Sequence, residues 1–337
     1  MPVLDLQNQD LVRKYETFIE TSPYGHMMQS TKWSLVKNNW DRDYVYLTDD
    51  EGELIAALSI LSVKNDGVHA FMYAPRGPVC DFYDIDLVAR LLEEAAPVMK
   101  ARNGFLLRLD PEVLYDADLV ARYRERGYTF RSAEQEHEKT FTNPRNNMIL
   151  DLKDKTEEEV MASFSSKQRT KIRKTYKIGL KTRRVHAKDV LFKDALDRFY
   201  ALIEEMAKRQ GITHRPYDYF ERLLHAYDNA HIFETYDEEE VLSTCIVVIY
   251  NRKAFYIYAA SSNSKRNYNS SIQTNYEAIM YALSQGVHEY DFGGIYGFDA
   301  TDGLYTFKAN FCGKEGHKEF IGELDLVADE ALYKNFL

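Results

Sequence analysis

The chain has 337 residues and a mass of 39.3 kDa, more than a single domain of about 150 residues needs. Hydrophobic residues make up 45% and charged residues 28%, which allows a sizeable core and excludes a disordered or fibrous chain. With 43 basic against 53 acidic residues the net charge is −10, which disfavours a protein whose whole surface tracks nucleic acid.

The first residues, MPVLDLQNQD, lack a basic segment followed by an apolar stretch, so no secretory signal is expected. The run TKWSLVKNNW predicts a helix on which Trp33 and Lys37 share a face at i, i+4, with Trp40 three residues further on. Two indoles beside a cation suit a ligand that carries a planar base and a phosphate. The alternative is that both indoles are core and Lys37 snorkels. YVYLTDDEGELIAALSIL then reads as strand, acidic turn, strand, and VHAFMYAPRGP as a third strand. A helix is predicted over Ile85 to Arg102, and GFLLRLDPE closes the series as a strand. Asp110, at the end of that strand and before Pro111, has the look of a helix N-cap followed by proline at the first helical position. Its functional alternative is a carboxylate that orients or deprotonates an attacking amine.

From TEEEV onward a helix is predicted with Thr156 as N-cap, ending at Gly179, with Phe164, Ile172 and Tyr176 turned inward. Between Ser165 and Arg184 the chain carries Lys167, Arg169, Lys171, Arg173, Lys174, Lys177, Lys181, Arg183 and Arg184, and no acidic residue. Charges this dense repel unless an anion offsets them. Nearby acids are one candidate, and a phosphate backbone contacted by Lys167, Lys171 and Lys174 is the other. Such contacts fix position without reading sequence.

The run AKRQGITHRPYDYF ends one helix at Gly211 and starts another near Pro216, grouping Arg209, Thr213, Arg215 and Tyr219 around an irregular turn. An arginine there suits a diphosphate, or else pairs with Asp218. Next, AHIFETYDEEEVLSTCIVVIY gives strand, acidic turn, strand; KAFYIYAASS a third strand; Ser271 to Gln285 a helix; and HEYDFGG a closing strand. Tyr256 and Tyr258 are expected on one strand face, lining a cleft or covering a core. Gly293, Gly294, Gly297 and Gly303 let the following loop approach a ligand closely, and the loop delivers Phe307 and Lys308. A lysine there can stabilise an oxyanion or face solvent. The longest apolar run, Val241 to Tyr250, is about half of what a membrane span needs. Cys80, Cys245 and Cys312 are odd in number and far apart, so neither a disulfide framework nor a metal site is expected, and a reducing cytoplasm is the natural compartment.

The order hairpin, strand, helix, strand occurs twice at nearly constant spacing, which argues for duplication. It is the order of GNAT-type acyltransferases and predicts an α/β (α+β) fold. The turns that would hold coenzyme A pyrophosphate, CDFYDID and SSNSKRNYNSS, lack the glycine-rich pattern that places backbone N–H groups on phosphate. No acyl-CoA, and no other cofactor, is therefore expected.

Eight segments in one order, SPYG, KNNW, YAPRGPV, LRLDPEV, GITHRP, YIYAAS, DFGGI and LYTFK, resemble the Fem family of non-ribosomal peptidyl transferases. These enzymes build the peptidoglycan bridge from aminoacyl-tRNA. The resemblance implies two GNAT-like domains facing a central cleft, one of residues 1–147 plus 320–337, the other of 148–319. It implies transfer of an aminoacyl group, alanine first and serine or glycine after it, to the lysine side-chain amine of UDP-MurNAc-pentapeptide. Carried over, Lys37, Asn38, Asn39 and Trp40 would hold the nucleotide end. Arg215 would take the diphosphate, with Tyr219, Tyr258 and Arg209 lining the same channel. Lys308 would sit at the transfer site behind Phe307. Phe105 stands where the family has tyrosine, so one hydroxyl contact is missing, and Asp110 matches an aspartate suggested as a base. A monomer without a coiled-coil arm or membrane anchor is expected, because no sustained heptad or amphipathic anchor is present. The competing expectations are a relative acting on lipid-linked precursor, a non-catalytic RNA-binding protein, and a GNAT acetyltransferase.

Overall fold

The computed structural model describes residues 3–132, 142–299 and 301–337. The chain divides into two units, Met1–Arg145 with Glu319–Leu337, and Asn146–Lys318. The first unit opens with α1 (Gln9–Thr21), α2 (Thr31–Val36), β1 (Asp41–Thr48), β2 (Leu54–Lys64) and β3 (Ala70–Ala74). It continues through α3 (Ile85–Arg102), β4 (Gly104–Leu109), α4 (Ala117–Glu125) and β5 (Thr129–Arg131). The second unit holds β6 (Asn146–Asp151), α5 (Glu157–Ser163), α6 (Ser166–Ile178), β7 (Lys181–His186), α7 (Phe192–Gln210) and α8 (Tyr217–Ala226). There follow β8 (Ala230–Asp237), β9 (Glu240–Tyr250), β10 (Lys253–Ser261), α9 (Ser270–Ser284), β11 (Glu289–Gly294), α10 (Gly303–Cys312) and β12 (His317–Glu319). The chain then returns to the first unit with β13 (Glu323–Val327) and α11 (Glu330–Phe336).

The duplication is visible in the sheets. One has the order β1-β2-β3-β4-β13-β5 and the other β12-β6-β11-β10-β9-β8-β7. In each, an antiparallel hairpin leads to a third strand that pairs in parallel with the strand after a long helix: β3 with β4 around α3, and β10 with β11 around α9. Asp84 caps α3, Asp86 lies in its first turn, and Lys100 and Arg102 lie in its last, signs that match the helix dipole. Its Val88, Leu91, Leu92, Ala95 and Met99 pack against Leu58, Ile60, Met72 and Leu107, each large side chain contributing about 1.5–3 kcal/mol. In the second unit, Ile272, Ala278, Ile279 and Ala282 of α9 cover Val247, Ala254 and Tyr290.

The returning strand β13 lies between β4 and β5, with Leu324 opposite Leu109 and Asp325 opposite Arg108. The Arg108 guanidinium, almost wholly buried, donates Nε and Nη2 to the Asp325 carboxylate at 2.7 and 2.6 Å. Glu323 reaches both Arg108 (3.3 Å) and Arg131 (3.4 Å), and the Tyr333 hydroxyl donates to Asp325 (2.9 Å). Two buried cations are thus matched by two carboxylates, the condition for keeping charge away from water.

Three local expectations are corrected. The helix read across TKWSLVKNNW stops at Val36, and Lys37 to Trp40 form a turn in which the Trp40 N–H donates to the Lys37 carbonyl (2.9 Å). The basic helix is two helices: a Thr156–Glu159 capping box starts α5, extended backbone at Phe164 and Ser165 breaks the run, and Ser165 caps α6. Gln168, Ile172 and Thr175 point inward, while Tyr176 is exposed and donates to Glu277. Finally, no helix starts after Asp110. The next one is capped by Asp116.

Candidate active site

In the first unit the turn between α2 and β1 gathers Lys37, Asn38, Asn39 and Trp40. The Lys37 ammonium lies 5.7 Å from the centre of the Trp33 ring, which is buried. Trp40 is half-buried, edge-on to Phe71 at 6.3 Å, and Asn38 and Asn39 are exposed. One indole is therefore core and the other borders an open polar turn. Phe105, by contrast, is only 2% exposed, with its ring against Phe336 at 5.4 Å within the Phe71, Leu106 and Tyr333 cluster. This buried ring is where the resemblance implied a missing hydroxyl contact. A phenylalanine without the hydroxyl has been absorbed into the core.

Asp110 is 3% exposed. Its carboxylate accepts from the Tyr73 hydroxyl, the Arg76 N–H (2.6 Å) and both the N–H and Nδ2 of Asn143 (3.0 and 3.1 Å). Burial raises its pKa against the pull of Arg76, and burial also raises that of Tyr73. Three of these donors meet Oδ2 and one meets Oδ1. In this arrangement Asp110 fastens the Tyr73–Arg76 turn. Tyr73, Arg76 and Asn143 carry no local signal in the sequence, because the bonds that join them to Asp110 span 33 to 37 positions. Arg76 itself has a φ of 57° and stacks on Phe320 at 4.8 Å.

In the second unit α7 ends with Gly211 in the left-handed region (φ 66°), and Pro216 starts α8. That turn carries Arg215, whose guanidinium lies 5.4 Å from the Tyr219 ring. The Tyr258 hydroxyl donates to that of Tyr219 (3.1 Å), which burial, then Tyr258, pushes well above its ordinary pKa. Asp218 is taken by Arg222, so Arg215 does not have it as a partner. Arg209 is instead engaged with Asn263 Oδ1 (3.0 Å) and Glu205 (3.9 Å). Tyr256 and Tyr258 do not share a face. The register with β9 shifts between them, Tyr256 opposite Val247 and Tyr258 opposite Ile246. The extra residue turns Tyr258 to Tyr219 and Phe220, while Tyr256 stays against Phe292.

Lys308 lies on α10, capped by Asp302, and is 5% exposed. Its ammonium donates to the Gly294 carbonyl at 2.7 Å. Burial pushes its pKa down to about 8, with Asp291, Cys312 and Asp302 pulling upward. Phe307, half-buried, sits edge-on to Phe292 and Phe311. On α6 the 3.6-residue period puts Lys167, Lys171 and Lys174 on one flank of the buried stripe and Arg169, Arg173 and Tyr176 on the other. Arg169 caps α5 through the Ala162 and Phe164 carbonyls and, with Arg173, Glu157, Glu158 and Tyr276, lines a cavity of about 520 Å³. The lysine flank has no described carboxylate within ion-pair distance, and Lys174 donates to the Asn267 carbonyl (3.3 Å). The acids that could neutralise this helix lie on the arginine side.

The sequence profile of the FemAB family matches residues 11–235 and 229–336. The chain belongs to the FemAB family. This FemAB chain is 38% identical over 339 residues to a UDP-N-acetylmuramoylpentapeptide-lysine N(6)-alanyltransferase of Weissella viridescens, covering 99% of this chain and 98% of that protein. A lipid II:glycine glycyltransferase of Staphylococcus haemolyticus (strain JCSC1435) is 25% identical over 410 aligned positions, covering 99% and 94%. That alignment is longer than this FemAB chain, so the relative contains segments the chain lacks. The crystal structure of FemX has the same fold, with a TM-score of 0.86 at 23% identity and 99% of each chain covered.

Proposed function

We propose that this FemAB protein transfers an alanyl group from aminoacyl-tRNA to the lysine side-chain amine of UDP-MurNAc-pentapeptide, the first step of interpeptide bridge synthesis. It would work as a monomer in the cytoplasm, where charged tRNA is found. The observation that carries this reading is the end-to-end 38% identity to an alanyltransferase of that precursor, against 25% to a glycyltransferase of the lipid-linked one. No described helix is long and apolar enough to cross a membrane.

The aminoacyl ester is already activated, so the protein need not supply a nucleophile. The amine must lose a proton, its ordinary pKa being about 10.4, and Asp110, a water or the substrate's own groups take it. Attack converts the ester carbonyl into a tetrahedral oxyanion, which Lys308 stabilises before the ribose hydroxyl leaves. Lys37, Asn38, Asn39 and Trp40 hold the nucleotide end, and Arg215 binds the diphosphate beside Tyr219, Tyr258 and Arg209. Losing one hydrogen bond to a charged group costs about 1.5–3 kcal/mol. Lys37→Met and Arg215→Met should each raise the Michaelis constant for the precursor about 10- to 100-fold. An unchanged constant in steady-state assays removes the diphosphate assignment.

Lys167, Lys171 and Lys174 serve the tRNA backbone. Reversing charge at Lys171 and Lys174 together should weaken tRNA use and flatten its dependence on salt, leaving precursor affinity alone. Titrating KM for charged tRNA against salt checks this. The reaction itself is tested by mass spectrometry after incubation with UDP-linked or lipid-linked precursor and tRNAs charged with alanine, serine or glycine. One alanyl residue on the UDP-linked precursor is expected. Extension of the lipid-linked precursor alone overturns the reading.

A further inference from the structure

The groups that hold Lys308 in place lie on the sheet, not on its own helix. Strand β11 pairs antiparallel with β6, Asp291 opposite Ile149 and Gly294 opposite Asn147, and the register is irregular between those two points. Gly293, in this irregular stretch, has a φ of 75°, a conformation that L side chains rarely adopt. The Gly293 N–H donates to Asp291 Oδ1 at 2.7 Å, so the carboxylate curls back over the turn that follows it. Asn147 Nδ2 donates to both Asp291 oxygens, at 3.4 and 3.3 Å. Both side chains are buried. The result of this bend is that the Gly294 carbonyl points at the Lys308 ammonium. A Cβ built on Gly293 would lie 3.9 Å from that same nitrogen. Bulges of this kind re-aim groups at functional sites.

We propose that Asp291, braced by Asn147, is a positioning residue that holds the Gly293–Gly294 turn against which the Lys308 ammonium is fixed and adds negative charge to its surroundings. The assignment rests on Lys308 being the oxyanion donor. It gives a purpose to a carboxylate and an amide buried in the sheet, neither of which has a part in the transfer step described above. The charged and titratable groups that act on Lys308 are Asp291 from β11, Asp302 at the cap of α10 and Cys312 on that helix, with Glu315 acting on Cys312 beyond the helix end. Asn147, facing from β6, is neutral.

The test compares Asp291→Asn, Asn147→Ala and Lys308→Met by steady-state kinetics across pH, with thermal unfolding as a check on folding. A misplacement of about 1 Å costs about 10²-fold. Asp291→Asn, which keeps the shape and loses the charge, should therefore lower kcat about 10- to 100-fold with the precursor KM unchanged. Because Asp291 pulls the Lys308 pKa upward, the alkaline fall in kcat should move to lower pH in this variant. A purely structural role would lower kcat without moving that limb, and this outcome rejects the proposal, as does unchanged kcat. Should Asp291→Asn fail to fold, Asn147→Ala decides: reduced kcat at constant precursor KM supports the brace, and wild-type kcat overturns it. Full turnover by Lys308→Met rejects both the transfer centre and this inference. An inactive Lys308→Met beside a wild-type-like Asp291→Asn rejects only the inference.

Discussion

Replacing Lys308 by methionine is expected to lower turnover about 10²- to 10³-fold, the usual cost of removing one donor from a developing oxyanion, with the precursor KM little changed. Methionine nearly preserves the length of the side chain and its packing on α10, so the loss isolates the charge. Lys308 is 5% exposed and its ammonium lies 2.7 Å from the Gly294 carbonyl, an environment in which a fixed charge acts more strongly than it does in water. The same burial holds its pKa at about 8, which sets the sign of the pH dependence. The protonated form is the active one, so this contribution is present below about pH 8 and is lost as pH rises through it. The acceptor amine must be deprotonated and gains with pH, so the product of the two is a bell-shaped profile. Rate measurements from pH 6 to 10 on wild type and Lys308→Met test both halves. A variant with full turnover, or one that keeps the alkaline fall, removes Lys308 from the transfer site.

Asp325→Ala should destabilise the first unit by about 3–5 kcal/mol, because it leaves the Arg108 guanidinium buried with Glu323 as its one carboxylate partner among the described residues. Arg108→Met with Asp325→Leu should recover much of that loss, since hydrophobic replacement of a whole buried pair is often neutral or better. Denaturant unfolding of the single and double variants provides the comparison. Equal destabilisation in both would show that side-chain volume, not the unpaired charge, dominates.

What could be read from the sequence follows from how far each signal reaches along the chain. Gly211 and Pro216 punctuate the turn that presents Arg215 because glycine and proline act on their own backbone. The repeated hairpin, strand, helix, strand order was legible because each element carries its own hydrophobic period. Failures arose where a distant partner overruled a local pattern. Trp33, Lys37 and Trp40 have helical spacing, yet Trp40 is drawn to Phe71, and the helix ends before it. Asp110–Pro111 imitates a cap, but the carboxylate is claimed by Tyr73 and Asn143, 37 and 33 positions away. One extra residue at Ile257 reverses the direction of Tyr258, and a shift of a single position leaves no trace in alternation. The Asn147–Asp291 brace joins residues 144 positions apart, beyond the reach of any window of the sequence.

The place of β13 between β4 and β5 also has a consequence for biosynthesis. On the ribosome β4 and β5 emerge early and must wait, edges open, until the whole of Asn146–Lys318 has been translated. The contiguous second unit can thus mature first, reversing the N-to-C order in which domains generally fold during synthesis. A premature stop codon ahead of Glu323 would therefore damage the opening portion of the polypeptide, although every residue of that portion up to Arg145 had been made.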